Sequence, residues 1–289
     1  MQKVSPKKQI FKKQPQKPPG MEYKMDPMPE FDSKQPSGDR LLNKKCLITG
    51  GDSGIGRAVA VAFAKQGADV AIVYLKEEQK DAEITAEYIE QKYNKSCLLF
   101  PSDISTENNC KKTAEKIIKK FGRIDVLVNN AGVQFPQKDI RDISSEQLLK
   151  TFSVNIFAMF WLTQACLPHM KNGSSIINTT SVTAYRGSEN LLDYSATKGA
   201  IASFTRSLSA SLIDYGIRVN AVAPGPVWTP LIVSTFDSKK VQSFGTDQPM
   251  KRPGQPYEIA TAYVFLASDE ASYISGQIIH VNGGEVING

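Results

Sequence analysis

The stretch Thr49-Gly50-Gly51-Asp52-Ser53-Gly54-Ile55-Gly56 follows the apolar run Cys46 to Thr49 and leads into a helix-like segment, Arg57 to Gln66. Glycines at 50, 54 and 56 let the chain turn sharply, let the backbone approach a charged group, and let helix pack closely on strand. The amides and the positive dipole end at the helix start then favour an anion such as a pyrophosphate. A glycine-rich loop alone is often only a turn. Between a strand and a helix, near the start of a βαβ unit, it reads as a dinucleotide loop.

Working outward, short apolar runs at Cys46 to Thr49, Val70 to Tyr74, Cys97 to Phe100, Val126 to Val128, Ser175 to Asn178, Val219 to Val222 and Ile278 to Val281 alternate with amphipathic stretches. Such alternation implies an α/β fold: a single Rossmann-type doubly wound parallel sheet of about seven strands, with helices on both faces. At 289 residues and 41% hydrophobic, one large core is the default. The expected division is a proline- and lysine-rich N-terminal tail over residues 1–40 and a catalytic domain over residues 41–289. Residues 1–40 are poor in branched apolar side chains and read as a mobile tail. Met21, Tyr23, Met25, Met28 and Phe31 leave open a docked alternative for the second part.

Lys and Arg number 35 against 29 acids, but six lysines fall within the first 20 residues, where there is no acid. The body is therefore neutral, which disfavours nucleic acid as a partner. The N-terminus lacks an apolar export core and no run of eighteen apolar residues occurs, so a cytoplasmic protein without a membrane partner is expected. Cys46, Cys97, Cys110 and Cys166 form no CxxC pair, and His169 and His280 stand apart, so no metal is expected.

A dinucleotide site would draw on Thr49, Gly50, Asp52, Ser53, Gly54, Ile55 and Gly56. About 20 residues beyond the loop, where a ribose-binding carboxylate is usual, stands Tyr74. Lys76 could instead meet a 2′-phosphate, although Glu77 and Glu78 oppose that charge. The cofactor expected is NADP or NAD, with a lean to NADP. Asp103 and Ile104 follow the third strand run, and Asn129-Asn130-Ala131-Gly132 ends the fourth.

Tyr194 and Lys198 lie four apart at the start of a helical stretch, Asp193 to Tyr215, so they share a face. A free phenol has a pKa near 10 and is a poor base at neutral pH. An ammonium roughly 5 Å away, at an effective dielectric near 20, favours the phenolate by about 3 kcal/mol. Ser181 closes a strand-like run thirteen residues before Tyr194, at the sheet edge where ligands bind. Asn155 is an amide inside the apolar stretch Ser145 to Met170 and must find partners.

Taken together, the Gly-x3-Gly-x-Gly loop, Asn155, Ser181, Tyr194 and Lys198 resemble the short-chain dehydrogenase/reductase family over residues 40–289. Within it, the proline-rich extension and the runs Thr49 to Gly56, Ile177 to Ser181 and Ala223 to Thr229 are most similar to bacterial general stress proteins and aldehyde reductases. The resemblance implies that Tyr194 is the acid/base and that Ser181 steadies the carbonyl oxygen. It gives Lys198 the nicotinamide ribose and Asn155 a water. It also places Asp103 at the adenine, Asn130, Ala131 and Gly132 beside its ribose, and Pro224, Gly225, Val227 and Thr229 at the nicotinamide. Enoyl-reducing members space tyrosine and lysine six apart, which disfavours that reaction here.

The function expected is hydride transfer between NAD(P)(H) and a small aldehyde or ketone. Alternatives are a sugar or polyol dehydrogenase, or a sensor that binds NAD(P) without turnover. A homo-tetramer is implied by the resemblance. Gln134, Phe135, Thr183, Tyr185, Arg186 and Asn190 are candidates for substrate contact, with Trp228, Leu231, Phe236 and Phe244 as a lid.

Overall fold

The computed structural model describes residues 10–287. Seven parallel strands, β1 (Lys45–Thr49), β2 (Asp69–Tyr74), β3 (Cys97–Pro101), β4 (Val126–Asn129), β5 (Ser175–Thr179), β6 (Arg218–Pro224) and β7 (Ile278–Val281), form one sheet. Their order is β3-β2-β1-β4-β5-β6-β7. The expected Rossmann-type sheet is present, with each strand within about two residues of its apolar run.

Successive strand residues feed opposite cores, as the pleat requires. Cys46 and Ile48 enter one apolar cluster with helices α1 (Gly54–Lys65), α2 (Gln79–Tyr93) and α10 (Pro256–Ala267). Leu47, between them, enters the other, with α3 (Glu107–Phe121), α5 (Ala158–Cys166) and the end of α7 (Leu192–Leu212). Both faces are covered, which is why the strands read as near-continuous apolar runs. Chain order reverses between β1 and β4, which pair directly. The crevice at their C-terminal ends is where such a sheet takes a ligand.

The stretch from Ser145 is not one regular helix. It runs as α4 (Ser145–Phe152), a π-helical turn (Ser153–Phe157), α5, and a 3₁₀ turn at Leu167–His169. Short helices α6 (Thr183–Arg186), α8 (Pro230–Thr235) and α9 (Ser238–Gln242) border the crevice. Their shortness leaves the crevice rim to loops.

Residues 10–40 lie along the body, where a solvated tail was the first expectation. Phe11 stacks on Trp228 with ring centroids 3.7 Å apart, and Phe11 and Met25 are both buried. Few apolar side chains suffice, because each fills a pocket on the body and the intervening prolines have little entropy to lose. Lys3, Lys7 and Lys8 lie outside the described residues. Among the described residues no helix is long and apolar enough to cross a membrane, and no group of His, Cys, Asp and Glu could hold a metal. All four cysteines are buried, and burial pushes Cys97, Cys110 and Cys166 up to about 12.

Candidate active site

A cavity of about 620 Å³ opens at the C-terminal edge of the sheet, with Gly50, Asp52, Ser53, Gly54 and Ile55 in its wall. Gly50 turns through φ +63°, a conformation side chains resist. Gly56 faces away from the cavity, and a Cβ there would sit 1.7 Å from the Gly50 carbonyl oxygen, so only glycine lets α1 pack this close. Thr49 also stands behind the wall. Its Oγ1 accepts from the amides of Asn130 (2.9 Å) and Ala131 (3.0 Å), while Asn130 Nδ2 donates to Thr49 O (3.0 Å). These bonds tie the glycine loop to the end of β4.

Tyr74, Asp103, Ile104, Asn130, Ala131 and Gly132 line the cavity, as do Pro224, Gly225, Val227 and Thr229. Lys76 does not. It is exposed on a 3₁₀ turn beside the cavity lining. The reason is the turn itself: Glu78 reaches back to accept from the Leu75 amide at 3.0 Å, which puts Glu78 on the cavity side. Burial, then the charge of Asp52, pushes Glu78 up to about 8. Burial likewise raises Asp52 to about 6, and its Oδ2 is buried without a hydrogen-bond partner. A carboxyl on the cavity side, as Glu78 is, suits a hydroxyl of a ribose. Together with the glycine loop in the cavity wall it fits a dinucleotide.

Asp103 is drawn the other way. Burial raises it, but Ser105 and Lys150 outweigh that and leave it below the ordinary carboxylate value. Its Oδ1 accepts from Ser105 N at 2.9 Å, so it holds its own loop as well as facing the cavity.

Ser181, Tyr194 and Lys198 meet in the same cavity. The Ser181 Oγ accepts from Thr183 N and Thr183 Oγ1, both at 3.1 Å, which leaves its own proton to give. Lys198 Nζ lies 5.3 Å from the centre of the Tyr194 ring and donates to Thr179 O at 2.9 Å. Burial pushes Tyr194 up to about 12, against a hydrogen bond from Ser181 that lowers it. Burial brings Lys198 down to about 7. Desolvation penalises both charges, so burial opposes the depression of the phenol by an ammonium that the spacing suggests.

Asn155 sits on the π-helical turn, behind the wall. Its Oδ1 accepts from Val133 N (2.8 Å), and its Nδ2 donates to Val133 O (2.9 Å) and Thr197 Oγ1 (3.1 Å). The side chain therefore braces the loop after β4 beside Lys198.

Of the substrate candidates, Gln134, Phe135, Thr183, Arg186 and Asn190 line the cavity, with Leu231, Phe236 and Phe244. Tyr185 instead packs on His280 (4.5 Å), and Trp228 is covered by Phe11. Arg186 pairs with Glu285 at 2.9 Å. Sequence reasoning missed Thr179, Asp193 and Arg57. Asp193 accepts from Thr151 Oγ1 (2.8 Å), Gln147 Nε2 (3.0 Å) and the Tyr194 amide (2.8 Å), which fixes the start of α7. An acid one residue before the tyrosine was its only local signal.

Residues 50–285 match the family model described as Enoyl-(Acyl carrier protein) reductase. The chain is 54% identical over 270 residues to General stress protein 39 of Bacillus subtilis, covering 93% of this chain and 94% of that one. It is 50% identical over 277 residues to NADPH-dependent aldehyde reductase 1, chloroplastic, of Arabidopsis thaliana, covering 93% and 96%. Among solved structures, a short chain dehydrogenase from Burkholderia cenocepacia in complex with NADP superposes with a TM-score of 0.79 at 29% identity, over 85% of this chain and 98% of that one. Likeness of this extent, in sequence and in fold, makes the chain a member of the short-chain dehydrogenase/reductase family and an NAD(P)-dependent oxidoreductase.

Proposed function

We propose that the protein reduces small aldehydes or ketones, with Tyr194 giving the proton, Ser181 holding the carbonyl oxygen and Lys198 governing the charge beside them. The observation that carries this is the meeting of half-buried Tyr194 with buried Ser181 and Lys198 in the cavity walled by the glycine loop. The nicotinamide, when bound, supplies or accepts the hydride. The chain supplies position and electrostatics. As negative charge develops on the substrate oxygen, Ser181 donates to it and the Tyr194 phenol releases its proton to it. Lys198, held by Thr179 O, stabilises the resulting phenolate, and the backbone under both is fixed by Asn155 and Asp193.

Enoyl reduction, the name carried by the matching family model, is not proposed, because tyrosine and lysine here are four apart. The runner-up is oxidation of a sugar or polyol, for which Gln134, Glu189 and Asn190 in the wall offer hydroxyl partners. The expected four-subunit assembly has a face to use: Phe157 and Phe160 are about two-fifths exposed beside Phe204, across the helices that carry Asn155 and Tyr194. Kinship with General stress protein 39 supports a stress-related duty, and the proposed location is the cytoplasm. The catalytic unit is residues 41–289, with the N-terminal segment laid on it. The test is steady-state oxidation of NADPH and NADH in parallel over a panel of small aldehydes, ketones and, in reverse, polyols. Bound cofactor with no turnover across the panel would replace this reading with a sensor.

A further inference from the structure

We propose that the N-terminal segment, residues 10–33, is a wall of the dinucleotide site, and that Glu22 is the positioning residue that holds the glycine-rich loop in its binding shape. This rests on the reading of that loop as the cofactor cradle.

Glu22 is wholly buried and lies behind the loop, outside the cavity lining. Its Oε2 accepts from the Gly54 amide at 2.5 Å and its Oε1 from Arg57 Nη1 at 2.5 Å. Arg57 in turn donates from Nε to the Asp52 carbonyl at 2.7 Å and from Nη2 to Asp81 Oδ1 at 2.9 Å. The loop is thus fixed on both sides of Ser53, at Asp52 O and at Gly54 N. Asp81 also accepts from the amides of Glu22 and Tyr23, at 2.9 and 3.1 Å, so the segment and α2 are locked to one guanidinium. Arg57 is shared between Glu22 and Asp81, and burial raises Glu22 to about 7, so the charge that Glu22 sets behind the loop is reduced.

The same segment reaches the far wall. Pro18, Pro19 and Gly20 line the cavity, and a Cβ on Gly20 would come within 2.4 Å of Pro230 O at the start of α8. Gln16 N donates to Val233 O at 2.9 Å, and Phe11 stacks on Trp228. A loop made of glycines has much conformational freedom to lose on binding, and bracing it beforehand removes that cost from the binding step.

The experiment is fluorescence titration of NADPH and NADH into the full-length wild type and the variants Glu22→Gln, Glu22→Ala and Phe11→Ala, with a melting curve for each. Glutamine retains an acceptor for the Gly54 amide, so Kd should rise about threefold for Glu22→Gln and tenfold or more for Glu22→Ala, equally for both cofactors. Phe11→Ala, far from the glycine loop, should raise Kd about threefold and decides the matter if the Glu22 variants do not fold. Folded variants whose Kd stays within a factor of 1.5 of wild type, whatever their melting temperature, would show a merely structural segment and overturn the inference alone. A wild type that binds neither dinucleotide would overturn the site reading and this inference together.

Discussion

Lys198 and Tyr194 share a helix face, and burial moves both toward their neutral forms. With Lys198 near 7, its ammonium is present below that pH and lost above it, while a phenol near 12 keeps its proton throughout the neutral range. Carbonyl reduction needs that proton and gains from the ammonium, so its kcat/KM should fall as pH rises through about 7. Alcohol oxidation, which needs a proton taken up, should rise over the same window. A pH profile that is flat from 6 to 9 in both directions would remove Lys198 from this role. Tyr194→Phe leaves the cavity's shape but no acid, so kcat should drop by about 10³-fold, in line with the usual worth of a general acid, while the cofactor Kd stays within a few fold. Four-residue spacing put the pair on one helix face, and the resemblance to a family, with Ser181 and Asn155, singled it out. The direction of the tyrosine shift was not legible, because spacing says nothing about how much water reaches a ring.

Between elements, the site depends on close approaches that no single helix or strand contains. Gly56→Ala would drive a Cβ into the Gly50 carbonyl and force α1 away from β1. We expect a loss of about 1–3 kcal/mol, the usual range for overpacking, read by urea unfolding, together with a tenfold weaker cofactor. Asn155→Ala removes three hydrogen bonds, two of them to the backbone of Val133, and should cost about 1–3 kcal/mol and loosen the loop after β4. If thermal unfolding of that variant matches wild type, the bracing role is wrong. That Asn155 needed a partner was readable from its apolar neighbours. The π-helical turn that aims it was not, since the surrounding residues have ordinary helical preferences and the extra residue is tolerated only where tertiary contacts use it.

Across the whole molecule, the buried group of Glu22, Arg57 and Asp81 joins the N-terminal segment, α1 and α2 through direct ion pairs. Arg57→Gln would strand two buried carboxylates and should cost about 3–5 kcal/mol, measured as a shift of the denaturation midpoint. Assembly is tested at the same scale. Size-exclusion with light scattering should give four copies, and replacing exposed Phe157 and Phe160 by serine should yield smaller species without unfolding. A wild type that runs as a monomer contradicts the proposed assembly.

By itself the sequence determined the sheet and the glycine loop, because strand periodicity and turn chemistry are local and act within a few residues, while Ser181, Tyr194 and Lys198 stood out as a set only through their resemblance to a family. Only the tertiary structure decided that Lys76 faces solvent while Glu78 faces the cavity, that Trp228 lies under Phe11, and that Glu22 reaches the Gly54 amide. Those outcomes depend on surfaces brought together from distant parts of the chain, where burial and charge are set by neighbours the local sequence does not contain.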